Sequence, residues 1–252
     1  MWTKAETFPL LDEGVRGRLR AVRLASRLST PQSGHAPAAP PLRAECSRFP
    51  AQVPCTPTVV YSDGPDGVRF TPGVTAFPAT IATAATFNEP LAYAKGAAQA
   101  AEAFDKGKNV LLAPGLASGR TPLSGRTPEY LGEDPLLTGL IAAAGTRGIQ
   151  SKPVLAALKH YVANEQELDR QTSSSNADER TLRRLYDLPF EIAVKRGAPE
   201  SVMCSYNQIN HVYACENERL NKVLKDDIGF DASNTHNFGS TRRVTKCGSC
   251  SG

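Results

Sequence analysis

Val154-Leu155-Ala156-Ala157-Leu158-Lys159-His160 is an apolar run that ends abruptly on a cation and an imidazole. The run reads as a strand with its polar pair directly after it. The same grammar recurs three times. Thr58-Val59-Val60-Tyr61 is β-branched and aromatic and stops at the turn Ser62-Asp63-Gly64-Pro65. Asn109 to Ala113 closes on Pro114-Gly115 and leads to the stretch Arg120 to Arg126, and Ser201 to Ser205 leads to Tyr206-Asn207. Helical patterns fill the intervals. Asn88 caps Glu89 to Asp105, where Pro90 is tolerated because a first-turn N–H has no partner in any case. A second helix is expected near Pro135 to Gly148. A third, capped by Asp178, carries Leu182, Leu185 and Tyr186 on one face and runs with a break at Pro189 to Gly197.

Strand and helix in alternation predict parallel strands joined by helices, hence an α/β barrel or an open doubly wound sheet. The polar residues decide between them. They follow several different strands, as in a (β/α)₈ barrel whose site gathers strand ends at one face. An open sheet concentrates its ligand contacts at one switch point, usually with a glycine-rich phosphate turn, and no such turn follows any of these runs.

The 252 residues suffice for a sizeable core at 40% hydrophobic content. The net charge of +4 lies largely in an arginine-rich N-terminal stretch rather than on a patterned face, which argues against a nucleic-acid partner. No apolar run is long enough for a bilayer, so no membrane partner is expected, and MWTKAETFPLLDEG lacks the basic-then-apolar order of a secretory leader. Residues 1–57, rich in Arg, Ala, Pro and Ser, read as a flexible or unrelated extension. Of six cysteines, Cys247 and Cys250 form a C-x-x-C without a second half, and Cys46 and Cys55 match no zinc pattern. Cys204 and Cys215 flank a hairpin-like stretch in MCSYNQINHVYAC, where a disulfide is plausible in an oxidising compartment.

The strand-end set is a carboxylate, several cations, an imidazole and a phenol. A polyhydroxylated ligand wants that mixture, since a carboxylate accepts from neighbouring hydroxyls while Lys, Arg and His donate to others. A phosphate would want the cations without Asp63.

Four ordered motifs, SDGPDGVR (Ser62 to Arg69), SGRTPEYLGEDP (Ser124 to Pro135), LKHYVANEQELDR (Leu158 to Arg170) and SVMCSYNQIN (Ser201 to Asn210), resemble the N-terminal barrel of family 3 glycoside hydrolases. The resemblance implies an incomplete TIM (β/α)₈-type barrel over residues 58–231, without cofactor, acting on a β-glucoside or short β-linked oligosaccharide. It implies that Asp63 accepts the outer hydroxyls of a terminal sugar and that Arg126 is a guanidinium clamp, although Pro128 stands where the family has an aromatic residue. Lys159 and His160 would donate to the middle hydroxyls, Arg170 would close the subsite, and Tyr206 would orient the nucleophile. Glu129 and Glu133-Asp134 look like supporting charges, Asn164 and Glu165 to Glu167 like helix-start residues, and Met203 like packing. KHYVANEQE, with no glycine-rich loop after Lys-His, is similar to the β-glucosidase and β-xylosidase branch, and secretion is expected from that resemblance alone, the residues themselves leaving localisation unknown. The family's nucleophile lies in a Ser-Asp-Trp motif, whereas residues 232–252 diverge after LNKVLKDDIGFD and the only tryptophan is Trp2. No catalytic residue is therefore assigned, and the expectation is a β-glucosidase relative that does not turn over, with a monosaccharide-binding remnant or xyloside specificity as alternatives.

Overall fold

Four short parallel strands lie side by side in chain order in the computed structural model, which describes residues 60–230. The expectations for residues 1–57 and 232–252 and for the other four cysteines lie outside these residues. The strands in chain order are β1 (Tyr61–Asp63), β2 (Val110–Leu112), β3 (Leu155–Tyr161), β4 (Ser174–Ser175), β5 (Ser201–Cys204), β6 (Gln208–Ile209) and β7 (Val212–Tyr213). The main sheet has the order β1-β2-β3-β5, while β4, β6 and β7 form a small sheet of their own. Register places Tyr61 opposite Val110, Val110 opposite Leu155, and Leu158 opposite Val202. Parallel strands need crossovers, and the helices supply them.

Those helices are α1 (Thr80–Ala84), α2 (Glu89–Asp105), α3 (Pro135–Ile149), α4 (Glu179–Thr181), α5 (Leu188–Gly197) and α6 (Glu218–Lys222). Each of the longer starts is fixed by a side-chain cap. Asn88 accepts from the Leu91 N–H at 2.9 Å, Asp134 from Leu137 at 2.7 Å and Asp178 from Thr181 at 2.8 Å, each worth about 1 kcal/mol. The expected break at Pro189 is not a break. A π-helical stretch, Leu182–Asp187, joins α4 to α5, and Pro189 falls in the first turn of α5. The wider turn also shifts the side-chain register, so Leu182 and Tyr186 are buried while Leu185 faces out, contrary to expectation.

One face of the sheet meets the helices. Leu111, Ala113 and Ala156 pack with Ala100, Ala103 and Ile149, and Leu158 and Val202 join Ile141, Phe190 and Ala193. Full burial of a side chain such as Phe190 contributes roughly 1.5–3 kcal/mol. The opposite face carries a second, smaller set: Val110, Leu112 and Ala157, with Leu155 and Met203 against it. Met203 is thus a packing residue.

Helix α2 packs on α3, and α3 on α5, so the three form one layer. Small residues bring the first pair together. A methyl on Gly148 would lie 2.1 Å from the Tyr93 carbonyl oxygen, and one on Gly96 would lie 2.3 Å from that of Gly145. Backbone therefore meets backbone at this crossing.

The hairpin expected between Cys204 and Cys215 is β6 and β7, antiparallel with Ile209 opposite Val212, and the two cysteines are bonded. Below it, the Tyr161 hydroxyl donates to Asp187 at 3.2 Å, and Asp187 pairs with Arg219 at 2.7 Å. Burial raises the Asp187 pKa, and Arg219 only partly offsets this. The pair fastens α6 to the helix that starts at Asp178.

Candidate functional site

Strand β1 delivers Asp63 at its last residue, and a shaped turn then carries the chain away. Gln99, buried on α2, donates to the carbonyl oxygens of Gly64 at 2.9 Å and Pro65 at 3.0 Å. Gly67 adopts φ +126°, with the space for a Cβ taken by the Thr75 carbonyl oxygen at 2.4 Å, so only glycine fits. The Arg69 N–H returns to donate to the Asp63 carbonyl at 3.0 Å. From beneath, Lys95 donates to the Pro78 carbonyl at 2.8 Å and approaches Asp66 at 3.9 Å. Burial lowers the Lys95 pKa to about 8 against the pull of Asp66.

The Asp63 carboxylate does not serve its own turn. Oδ1 lies 2.6 Å from Lys159 Nζ, and Oδ2 lies 3.9 Å from the Arg69 guanidinium. Lys159 was expected just beyond a strand, yet β3 continues through Lys159 and His160 to Tyr161, and a residue so placed must be buried. Its charge is balanced on the other side by Glu129 Oε2 at 3.2 Å.

Glu129 in turn holds Arg126 through two hydrogen bonds, both 3.1 Å. Pro128 lies between them in a 3₁₀ turn, Thr127–Glu129, which suits its fixed φ and missing donor. Burial pushes the Glu129 carboxyl up, but hydrogen bonds from Arg126 and the charges of Lys159 and Arg126 overcome it and hold the group below the ordinary carboxylate value. Arg126 also reaches Glu167 at 3.5 Å, Glu167 pairs with Arg170 at 3.0 Å, and the Arg170 guanidinium sits 5.0 Å from the Tyr206 ring centroid. The result is one continuous row: Arg69, Asp63, Lys159, Glu129, Arg126, Glu167, Arg170, Tyr206. Four cations alternate with three carboxylates.

His160 is buried beside this row. Its Nδ1 is 3.2 Å from the Tyr130 hydroxyl, and that hydroxyl donates to the Asn164 carbonyl at 2.9 Å. A carbonyl can only accept, so the phenol proton points to Asn164, and the phenol oxygen takes its bond from His160 Nδ1–H. Burial, followed by the cations Arg126, Lys159 and Arg170, holds the His160 pKa well below its usual value. The ring is neutral and Nε2 keeps a free lone pair.

All six side chains singled out in the sequence, Asp63, Arg126, Lys159, His160, Arg170 and Tyr206, therefore come to one region. Glu129, expected as a supporting charge, holds Arg126 here, and Arg69 and Glu167 complete the region without having been assigned a place in it. Arg69 lay inside the first quoted motif, and Glu167 stands three residues before Arg170, a spacing that allows an ion pair. Asn164 to Glu167 do not start a helix but form an irregular loop after β3. Among the described residues, no three His, Cys, Asp or Glu side chains converge on a possible metal position, and no helix is long and apolar enough to cross a membrane.

A row of alternating charges with one cation in excess suits a neutral polar ligand, because donors and acceptors are held in place while most of the charge is offset by neighbours. Asp63, Glu167, Arg170 and Tyr206 all retain exposed surface along it.

Comparison with known proteins now bears on this geometry. The model of the glycosyl hydrolase family 3 N-terminal domain matches residues 42–234. The chain is 44% identical over 191 residues to probable beta-glucosidase E of Emericella nidulans, covering 72% of this chain and 19% of that protein. It is 46% identical over 182 residues to a beta-glucosidase of Rhizobium radiobacter, covering 69% and 22%. Among solved structures, beta-glucosidase 3B from Thermotoga neapolitana, in complex with α-D-glucose, superposes with a TM-score of 0.67 at 43% identity, over 69% of this chain and 26% of that one. The chain thus spans roughly a fifth to a quarter of the length of these relatives.

Proposed function

Because the chain belongs to glycosyl hydrolase family 3, we propose that its described residues are an arc of a (β/α)₈-type barrel carrying the glucose-binding half of a β-glucosidase site. The order β1-β2-β3-β5 with one layer of successive helices supports the barrel, because a doubly wound sheet reverses direction and covers both faces. The observation that carries the functional reading is the buried Lys159 clamped between Asp63 and Glu129, with the Asp63 carboxylate still open to solvent on one side.

In this reading Asp63 accepts from two hydroxyls of the terminal glucosyl ring, and Lys159 donates to their neighbour. Arg126 and Arg170 donate from the far side, and Tyr206 supplies a phenol at the mouth. His160 takes the opposite polarity from that expected. With Nδ1–H committed to Tyr130, Nε2 accepts from a sugar hydroxyl. The β-glucosidase names of the relatives favour glucoside over xyloside.

Retaining hydrolysis needs two carboxyl groups about 5 Å apart, one nucleophilic and one able to give up a proton. The three carboxylates of the row are committed to cations, and Glu129 is held in its ionised form. They bind and orient rather than cleave. With Trp2 as the only tryptophan there is also no Ser-Asp-Trp nucleophile motif. The 252-residue chain is accordingly proposed to bind glucose without turnover.

Calorimetric titration with glucose tests this. Asp63→Ala removes two charge-assisted hydrogen bonds worth about 1.5–3 kcal/mol each, so binding should weaken at least roughly 100-fold. Unchanged affinity in that variant would refute the site. Hydrolysis of a chromogenic β-glucoside by the parent chain, abolished in Asp63→Ala, would refute the binding-only part.

A further inference from the structure

The loop after β3 faces two ways. Glu167 turns into the charged row, whereas Glu165 and Gln166 line a separate cavity of about 310 Å³. Its other walls include Arg120 from the segment after β2, Ser175 and Asn176 around β4, and Tyr186 from the π-helical stretch. We infer that this cavity is a second carbohydrate site, taking one neutral six-membered sugar ring.

Glu165 is more than nine-tenths buried. Its Oε2 is shared by the Arg120 Nε–H and the Tyr186 hydroxyl, the latter at 3.2 Å. Its Oε1 is buried and has no hydrogen-bond partner. Burial raises the pKa of this acid, and Arg120, Tyr186 and the Ser118 backbone only partly offset it. The Glu165 carboxylate, held by Arg120 and Tyr186, is thus a fixed polar wall of the cavity.

The walls choose the class of ligand. Arg120 and Glu165 cancel each other's charge, so the cavity offers no net attraction for a phosphate or a carboxylate. The hydroxyl of Ser175 and the amides of Gln166 and Asn176 make it a poor place for an apolar ligand. A guanidinium and a carboxylate oxygen side by side match adjacent hydroxyls, one accepting and the other donating. The volume reaches the low end of the roughly 300–1,000 Å³ usual for ligand pockets, which admits a single ring. A smaller cavity of about 30 Å³ beside Lys95 and Gln99 has room only for water.

The cavity wall also connects to the segment that carries Tyr206. Asn207, next to Tyr206, donates to the Ser175 hydroxyl at 3.2 Å. The ring could come as a free monosaccharide or as the second unit of a β-linked disaccharide, and the experiment separates these sources.

The 252-residue chain, labelled at alanine methyls, would be titrated with glucose and with cellobiose while binding is followed by NMR and calorimetry. Shifts of the Ala163 and Ala177 methyls, which line the cavity, report on it directly. Gln166→Ala and Asn176→Ala alter exposed cavity side chains and leave no buried charge without its partner, so neither should disturb folding. With glucose, each is expected to weaken the event that shifts those methyls at least roughly 10-fold, while Asp63→Ala leaves that event intact and weakens the other at least roughly 100-fold. Two cellobiose molecules per chain would indicate free sugars, and one molecule shifting both regions would indicate a single disaccharide across both sites. The inference is overturned if neither sugar moves these methyls, or if they move equally in both cavity variants. Because Asp63→Ala silences only the first site, failure of one reading leaves the other measurable.

Discussion

Lys159→Met is expected to abolish glucose binding and to cost the fold about 3 kcal/mol at neutral pH. Removing one member of a buried ion pair costs about 3–5 kcal/mol, chiefly because the remaining charge stays buried without its partner. Here two carboxylates are left. Asp63 is one-third exposed and Glu129 keeps Arg126, which places the cost at the lower end of that range. The pH dependence tests the cause. In the parent, the pKa of Glu129 is depressed below its ordinary 4.5, so its contribution to stability is present above that value and lost as pH falls through the folded pKa. In the variant the Lys159 charge is gone and burial is less opposed, so the Glu129 pKa rises and protonation relieves the repulsion. Denaturant titrations should show the gap between parent and variant widest near neutrality and narrowing below about pH 4.5. A gap that stays constant over that range would assign the loss to packing instead.

Gly148→Ala should destabilise the chain by about 3 kcal/mol or more, whereas Gly145→Ala, three residues earlier on α3, should be neutral or stabilising. At Gly148 the added methyl meets the Tyr93 carbonyl oxygen at 2.1 Å and the Ala97 nitrogen at 3.0 Å. Both are backbone atoms of α2, so nothing short of moving a helix relieves them, and overpacking of this kind costs about 1–3 kcal/mol or more. At Gly145 the nearest atoms are Pro114 Cγ at 3.5 Å and the Ala92 carbonyl oxygen at 3.9 Å, which is ordinary contact. There alanine lowers the entropy of the unfolded chain and stabilises by about 0.4–1 kcal/mol. Thermal midpoints of the two variants should move in opposite directions, downward by roughly 6–12 °C for Gly148→Ala. Equal shifts would mean that the helix crossing is looser than this contact implies.

Local signals were legible where a few neighbouring residues decide the outcome. Asn88 and Pro90 set the start of α2, and Glu89–Asp105 is the helix expected. Asp134 did the same for α3, which ends one residue later than expected. The run from Val154 continued past Leu158 for a reason that local polarity hides. Lys159 looks like a strand-ending charge, but its counter-ions Asp63 and Glu129 stand 96 and 30 positions away and allow it inside. Leu185 was misplaced because regular helical spacing does not foresee a π-helical stretch. In the site, the motifs pointed to each side chain, but not to which carboxylate meets which cation. That depends on loops such as 164–167, where Glu165 and Gln166 face the separate cavity and Glu167 the charged row. The polarity of His160 was hidden in the same way, since it follows from a phenol on another loop.

The row from Arg69 to Arg170 bears on how this sequence can change. Each inner charge is held by two neighbours of opposite sign, so its removal also releases charges it does not touch directly. Single substitutions in such an array are epistatic. In a double-mutant cycle, Asp63→Asn combined with Lys159→Met should cost less than the sum of the two, with a coupling of about 0.5–3 kcal/mol. Along this row the viable steps for the sequence are paired exchanges that preserve the alternation of sign.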